Sequence, residues 1–149
     1  MRDDEFVAWL PQMRDEYAES MVDEAGFTPE AAGRKSDADM AQLFPDAAPA
    51  EGQDVYVLEA DGVRVGELWL AERDDMSGVR SLFVYDVHVE KAYRGRGHGR
   101  DAMLLAEDEA RRRGIHRVAL NVWGRNEVAR RLYRSLGYEE NAVAMSKTL

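Results

Sequence analysis

Between Tyr93 and Ala102 the chain reads YRGRGHGRDA, so that Gly95, Gly97 and Gly99 alternate with Arg94, Arg96, His98 and Arg100. Glycine suits neither a helix interior nor a strand interior, because it has the most backbone freedom to lose. An apolar, strand-like run precedes the stretch and a helical run comes after it, which puts the glycines between a strand end and a helix start. Unpaired backbone N–H groups and the helix dipole attract an anion there, and glycine lets backbone approach it closely. With the arginines added, the chemistry is phosphate binding. The plainer alternative is a tight strand-to-helix turn carrying solvated arginines.

Two familiar phosphate motifs do not fit. The Gly-Lys-Ser/Thr of a nucleoside-triphosphate loop is absent. The dinucleotide fingerprint is nominally met by Gly97, Gly99 and Ala102, but Asn121 stands where that fold places a ribose-binding acid. There is no cysteine, and His88, His98 and His116 fall in no metal-ligand spacing, so no metal is expected.

Charge divides the 149 residues unevenly. Residues 1–50 hold 4 basic and 12 acidic residues, residues 51–90 hold 3 and 10, and residues 91–149 hold 13 and 7. The basic end suits an anionic ligand and the acidic remainder a cationic one. A pI of 4.9 argues against nucleic acid. No apolar run is long enough to cross a membrane, and the acidic MRDDEF start is neither a secretory nor a transit signal, which fits a cytoplasmic protein.

Periodicity supplies the scaffold for these residues. Phe6, Trp9, Leu10, Met13, Tyr17 and Met21 recur at helical spacing, with Pro11 predicting a kink or two abutting helices. Thr28-Pro29-Glu30 opens a second helix reaching about Phe44. Two strands flank Asp61-Gly62, a hairpin pair, and VRSLFVYDVHVE is a third. A helix over Arg100–Arg113, a strand in HRVALNV, a helix over Asn126–Leu136 and a closing strand in NAVAMSKTL complete the order. The strand–helix–strand unit from 80 to 122 requires a right-handed parallel crossover. The fold class is α/β: a mixed sheet with helices on both faces, and a ligand beyond the strands' carboxyl ends.

Two segments resemble the GNAT superfamily of N-acetyltransferases. Arg94-Gly95-Arg96-Gly97-His98-Gly99 is similar to its Arg/Gln-x-x-Gly-x-Gly/Ala signature. Asn126, Ala129, Leu132-Tyr133 and Gly137-Tyr138 are similar to its second signature. The resemblance covers roughly 54–149 and implies one domain over 1–149, with an acetyl-CoA-binding core from 54 and a helical acceptor-side segment over 1–50. It implies a mostly antiparallel sheet with one splayed parallel pair. Many members begin with a strand, whereas this chain begins directly in helix.

The resemblance implies transfer of an acetyl group from acetyl-CoA to a primary amine. The pyrophosphate would sit on backbone N–H groups of Arg96 to Arg100, with Arg94, Gly95, Gly97, His98 and Gly99 shaping the turn. The pantetheine arm would pair with backbone around Val87, His88 and Val89, and an N–H near Val87 would serve the oxyanion. Asn126 would steady the cofactor, or cap its helix, or both. Tyr133 would protonate the leaving thiolate, or simply pack in the core. Some N-terminal acetyltransferases of the superfamily carry Glu where this chain has Asn121, and an amide accepts no proton. Asp86 is then the first candidate base and Glu67 the second, with His88 sharing Asp86's side of the strand. The charge division points to a cationic acceptor, a small molecule or peptide amine, with Trp69 and Tyr85 as candidate walls or, alternatively, core residues. A homodimer stays open. The alternatives are a non-catalytic acyl-CoA sensor, or an interaction module, for which Trp9 or Met13 would have to be exposed.

Overall fold

The computed structural model describes residues 1–74, 77–145 and 147. Helices α1 (Asp3–Ala25) and α2 (Pro29–Leu43) precede strands β1 (Gln53–Ala60), β2 (Val63–Asp74) and β3 (Arg80–Val89). Helix α3 (His98–Arg112), strand β4 (Val118–Leu120) and helix α4 (Glu127–Ser135) come after them. The sheet order is β1-β2-β3-β4, with the first two pairings antiparallel and β3–β4 parallel. This is the expected mixed sheet.

Local chemistry sets the boundaries. Thr28 Oγ1 accepts from the Ala31 N–H at 3.3 Å and Pro29 occupies the first turn of α2. Asp61 and Gly62 both take positive φ, 52° and 77°, as a two-residue hairpin turn demands. Pro11 does not divide the first helix as expected: α1 runs through it without interruption. The missing N–H costs one bond, and the buried stripe of Phe6, Trp9, Met13 and Met21 on either side outweighs that loss.

Each face of the sheet carries its own apolar layer. Leu68, Leu70, Leu82 and Val84 pack with Met103 and Ala106 of α3, joined by half-buried Tyr133 and Leu136 at the α4 side. On the other face Phe6, Trp9, Met13, Met40 and Phe44 close over Trp69. Trp9 and Met13 are 4% and 7% exposed, so the stripe required of an interaction module is spent on the core.

Two features of β3 shape the ground around its carboxyl end. Its ladder with β4 pairs only Leu82–Val118, Phe83–Ala119 and Val84–Leu120, although β3 continues to Val89. The strands therefore part company after Val84, the splay anticipated from the resemblance. On the other side Trp69 pairs with Asp86 and Leu70 with Val84, leaving Tyr85 as the extra residue of a β-bulge. Val84 and Val87 both face the α3 layer, whereas Tyr85 stacks on Trp69 at 4.7 Å and His88 reaches α1. The bulge thus resets the alternation beside Asp86. Nearby, Gly66 lies so close to β3 that a Cβ there would stand 2.0 Å from the His88 carbonyl oxygen. The closing strand expected in 141–149 does not form in 141–145, which are exposed and without regular structure; Ser146, Thr148 and Leu149 lie outside the described residues.

Candidate active site

The glycine stretch sits where β3 hands over to α3. Lys91–Tyr93 form one short helical turn, and beyond it Gly95 and Gly97 take φ of 76° and 95°. Gly97 is the N-cap of α3, and among the described residues no side chain caps that end. A Cβ at Gly95 or Gly97 would meet nothing within 4 Å, so the turn is open on its outer side. Gly99 backs onto α4, where its Cβ would touch Leu132 at 3.4 Å. A bare helix start with open space before it fits a pyrophosphate.

The arginines are less free than their spacing suggests. Arg94 Nε donates to the Val89 carbonyl at 2.8 Å, which fixes the turn. Arg100 donates to Ser135 Oγ at 2.5 Å and so ties α3 to α4. Arg96 lies over the Tyr93 ring at 5.7 Å, and His98 stands 4.0 Å from Asp101. What this turn offers an anion is backbone first and side-chain charge second.

Beyond Val84 the edge of β3 that faces β4 is unpaired, and Val87, His88 and Val89 lie along it. Such an edge offers backbone N–H and C=O groups to an extended ligand carrying amides, as pantetheine does.

Acidic side chains gather on the α1 side of this edge. Asp86 is half-buried, and its proton affinity is pushed up to about 6, first by burial and then by Glu16 and Glu67, against the pull of His88. His88 Nδ1 lies 3.2 Å from a Glu16 carboxylate oxygen. Glu67, 5% exposed, accepts from Arg64 Nε at 3.1 Å. It also lines a groove with Asp4, Glu5, Gln12 and Glu90 that opens between α1 and β2.

Tyr133 faces this cluster from α4. Its hydroxyl is pushed up to about 12 by burial, then by Asp86 and Glu24. The phenol is therefore protonated near neutral pH and able to donate. Asn126 is the N-cap of α4: its Oδ1 accepts from the Ala129 N–H at 3.0 Å, and its Nδ2 donates to both oxygens of Glu24 at 3.1 Å. Both ends of the amide are thus engaged.

Asp86 lies within electrostatic reach of His88, Glu16, Glu67 and Tyr133. Trp69 does not join them. At 1% exposure Trp69 is core, its Nε1–H donating to Gln53 at 2.8 Å, so it cannot wall an acceptor site. Tyr85 is half-buried between Trp69 and Phe83, with the Arg73 guanidinium 5.9 Å from its ring centre. Glu16 and Glu24 are not singled out by the sequence, because on an acidic helix neither stands out. The position of Glu24 is a signal nonetheless: it is one residue from the carboxyl end of α1, where the helix dipole repels an anion and no basic residue compensates.

The acetyltransferase (GNAT) family model matches residues 10–138. The uncharacterized N-acetyltransferase YycN of Bacillus subtilis is 30% identical over all of this chain and 96% of its own length. Its crystal structure superposes with a TM-score of 0.88, covering 100% of this chain and 95% of that one. The L-methionine sulfoximine/L-methionine sulfone acetyltransferase of Salmonella typhimurium is 31% identical over 73% of this chain and 64% of its own length. The aminoglycoside N-acetyltransferase AAC(6')-Iy, solved with CoA, shares the fold at a TM-score of 0.58 and 21% identity, over 78% of this chain and 87% of that one.

Proposed function

The chain belongs to the acetyltransferase (GNAT) family and is an acetyl-CoA-dependent N-acetyltransferase, and we propose that its acceptor is a primary amine on a cationic molecule. The observation that carries this reading is Asp86. It is a half-buried carboxylate with raised proton affinity, beside Glu16 and Glu67 and within electrostatic reach of Tyr133. A neutral or anionic acceptor would gain nothing from three converging acids, whereas an ammonium group is concentrated by them.

The proposed roles follow position along the site. The backbone at Gly97 to Arg100 and the positive end of α3 hold the pyrophosphate of acetyl-CoA. The open edge at Val87 and Val89 receives the pantetheine amides, and an N–H there supports the oxyanion. Asp86, ionised above about 6, takes the proton that the amine must shed before its nitrogen attacks the thioester carbon. As the carbon–sulfur bond breaks, Tyr133 gives its proton to the departing thiolate. Glu67, held by Arg64, contributes charge at the groove and does not compete as base. AAC(6')-Iy has also been solved with a bisubstrate analogue joining CoA to an aminoglycoside derivative. That fold therefore admits a polycationic amine beside CoA, which supports the reading for this chain.

The test is thiol release from acetyl-CoA across a panel of amines matched in size and differing in charge. Cationic amines should turn over, with an acceptor KM that rises with salt. A preferred acceptor that is neutral or acidic, with a salt-independent KM, would overturn the assignment.

A further inference from the structure

We propose that Glu24 is a positioning residue for the transfer: by gripping the Asn126 amide, it holds the start of α4 and thereby sets Tyr133 against the end of β3. The proposal rests on the reading of the site as an N-acetyltransferase centre.

The first ground is the mismatch between Glu24 and its own helix. A carboxylate in the last turn faces the negative end of the dipole, and Asp23 beside it adds a like charge. The last turn of α1 holds no basic residue to offset this. The offsetting contact comes from 102 residues away, where Asn126 Nδ2 donates to both Glu24 oxygens. One turn on, the Phe27 ring meets Trp123 at 6.4 Å, so the exit of α1 and the entry of α4 touch at two points.

The second ground is that α4 is secured differently at its two ends. The helix has nine residues, and none is fully buried. Its carboxyl half packs on the α3 layer through Tyr133 and Leu136 and is moored to α3 through Arg100–Ser135 and through Leu132 against Gly99. Its amino end is fixed by Asn126, whose Oδ1 caps the first turn while its Nδ2 holds Glu24. Tyr133 is seven residues beyond Asn126, about two turns along, and so lies on the same face. A displacement at Asn126 is carried along the rod to the phenol. The acidic surroundings that keep that phenol protonated include Glu24 itself. One carboxylate on the acceptor-side helix therefore governs where the proton donor of the cofactor side stands.

Three forms separate contact from charge: wild type, Glu24→Ala and Glu24→Gln. Hydrogen exchange, monitored by mass spectrometry, should speed up across 127–135 in Glu24→Ala while exchange in α3 stays unchanged. Turnover should fall about tenfold, with the KM for acetyl-CoA and its thermal shift retained. Glu24→Gln, whose amide oxygen still accepts from Asn126, should recover most of both losses. In a Tyr133→Phe background Glu24→Ala should cost little further turnover, because the two act through one hydroxyl. Unchanged exchange in 127–135, a glutamine variant as impaired as the alanine one, or additive losses in the double variant would each overturn the proposal. If the wild type acetylates no amine, the acetyl-transfer reading fails instead, and the exchange measurement still decides whether Glu24 holds α4.

Discussion

The two ends of the proposed reaction centre are made from different materials. The cofactor end is backbone: a helix start, two glycines at positive φ and an open strand edge. The acceptor end is side chain: Glu16 from α1, Glu67 from β2, and Asp86 and His88 from β3. A backbone site is fixed once its local conformation forms. A side-chain site exists only after several elements have docked. The first should therefore tolerate charge changes and resist changes of backbone conformation, and the second should do the reverse.

The strongest challenge to this contrast is Gly97→Glu. It puts a bulky anion at a φ of 95°, where L side chains are strained, in the space meant for a phosphate. Acetyl-CoA at 100 times its Kd should stabilise the wild type by about 2.7 kcal/mol, and the variant should show no shift. An unchanged shift would remove the backbone site.

Asp86→Asn should come next, with turnover reduced by about 10³-fold, within the range for loss of a general base. The wild-type rate should climb as pH passes about 6, and the variant should lose that limb. Stability should move the opposite way. An acid whose folded proton affinity lies above its ordinary value of 3.8 costs nothing below that value, and it destabilises as pH rises through 6. Thermal unfolding should thus find Asp86→Asn more stable than wild type at pH 8 and equal to it below pH 4. A rate profile unchanged in the variant would move the base elsewhere.

Tyr133→Phe should lower turnover by about 10²-fold with little effect on acetyl-CoA binding, since the hydroxyl meets charge only as the thiolate departs. Equal turnover would assign the ring to packing. The smallest effect is expected at Glu67→Gln, an acid already paired with Arg64. A roughly threefold rise in the acceptor KM, with kcat and acetyl-CoA binding unchanged, matches a partly screened charge. Steady-state kinetics at two salt concentrations checks it.

The same contrast separates what is legible in the sequence from what is not. The cofactor end is legible because a backbone site needs particular residues in unbroken order, and glycines alternating with arginines at a strand–helix junction have few other uses. The fold is legible for the same reason, from Asp61-Gly62, Thr28-Pro29 and the parallel crossover. The acceptor end is legible only as a surplus of charge. Asp86 and Glu67 can be found because strands place alternate residues predictably, yet the bulge at Tyr85 leaves no mark in the pattern. Glu16 and Glu24 depend on how α1 lies across the sheet, which no local pattern states. Trp69 is left open by the sequence, wall or core, because aromatic residues wall clefts and fill cores alike, and only the docking of Phe44 and Trp9 over it decides.

The short ladder between β3 and β4 also bears on how the protein meets its neighbours. The strand edge that we assign to the pantetheine amides is equally complementary to any other extended polypeptide, a nascent or misfolded chain included. Selectivity at that edge cannot come from its hydrogen bonds, which every backbone can satisfy. It must come from what flanks the slot: α4 on one side, the charged α1 on the other, and the three paired residues of β4 that close its inner end at Val84. On the proposed reading, acetyl-CoA is also the edge's occupant of choice. Where acetyl-CoA is abundant, the protein spends most of its life with the edge covered, and starvation for the acyl donor should expose it to association before it exposes it to unfolding.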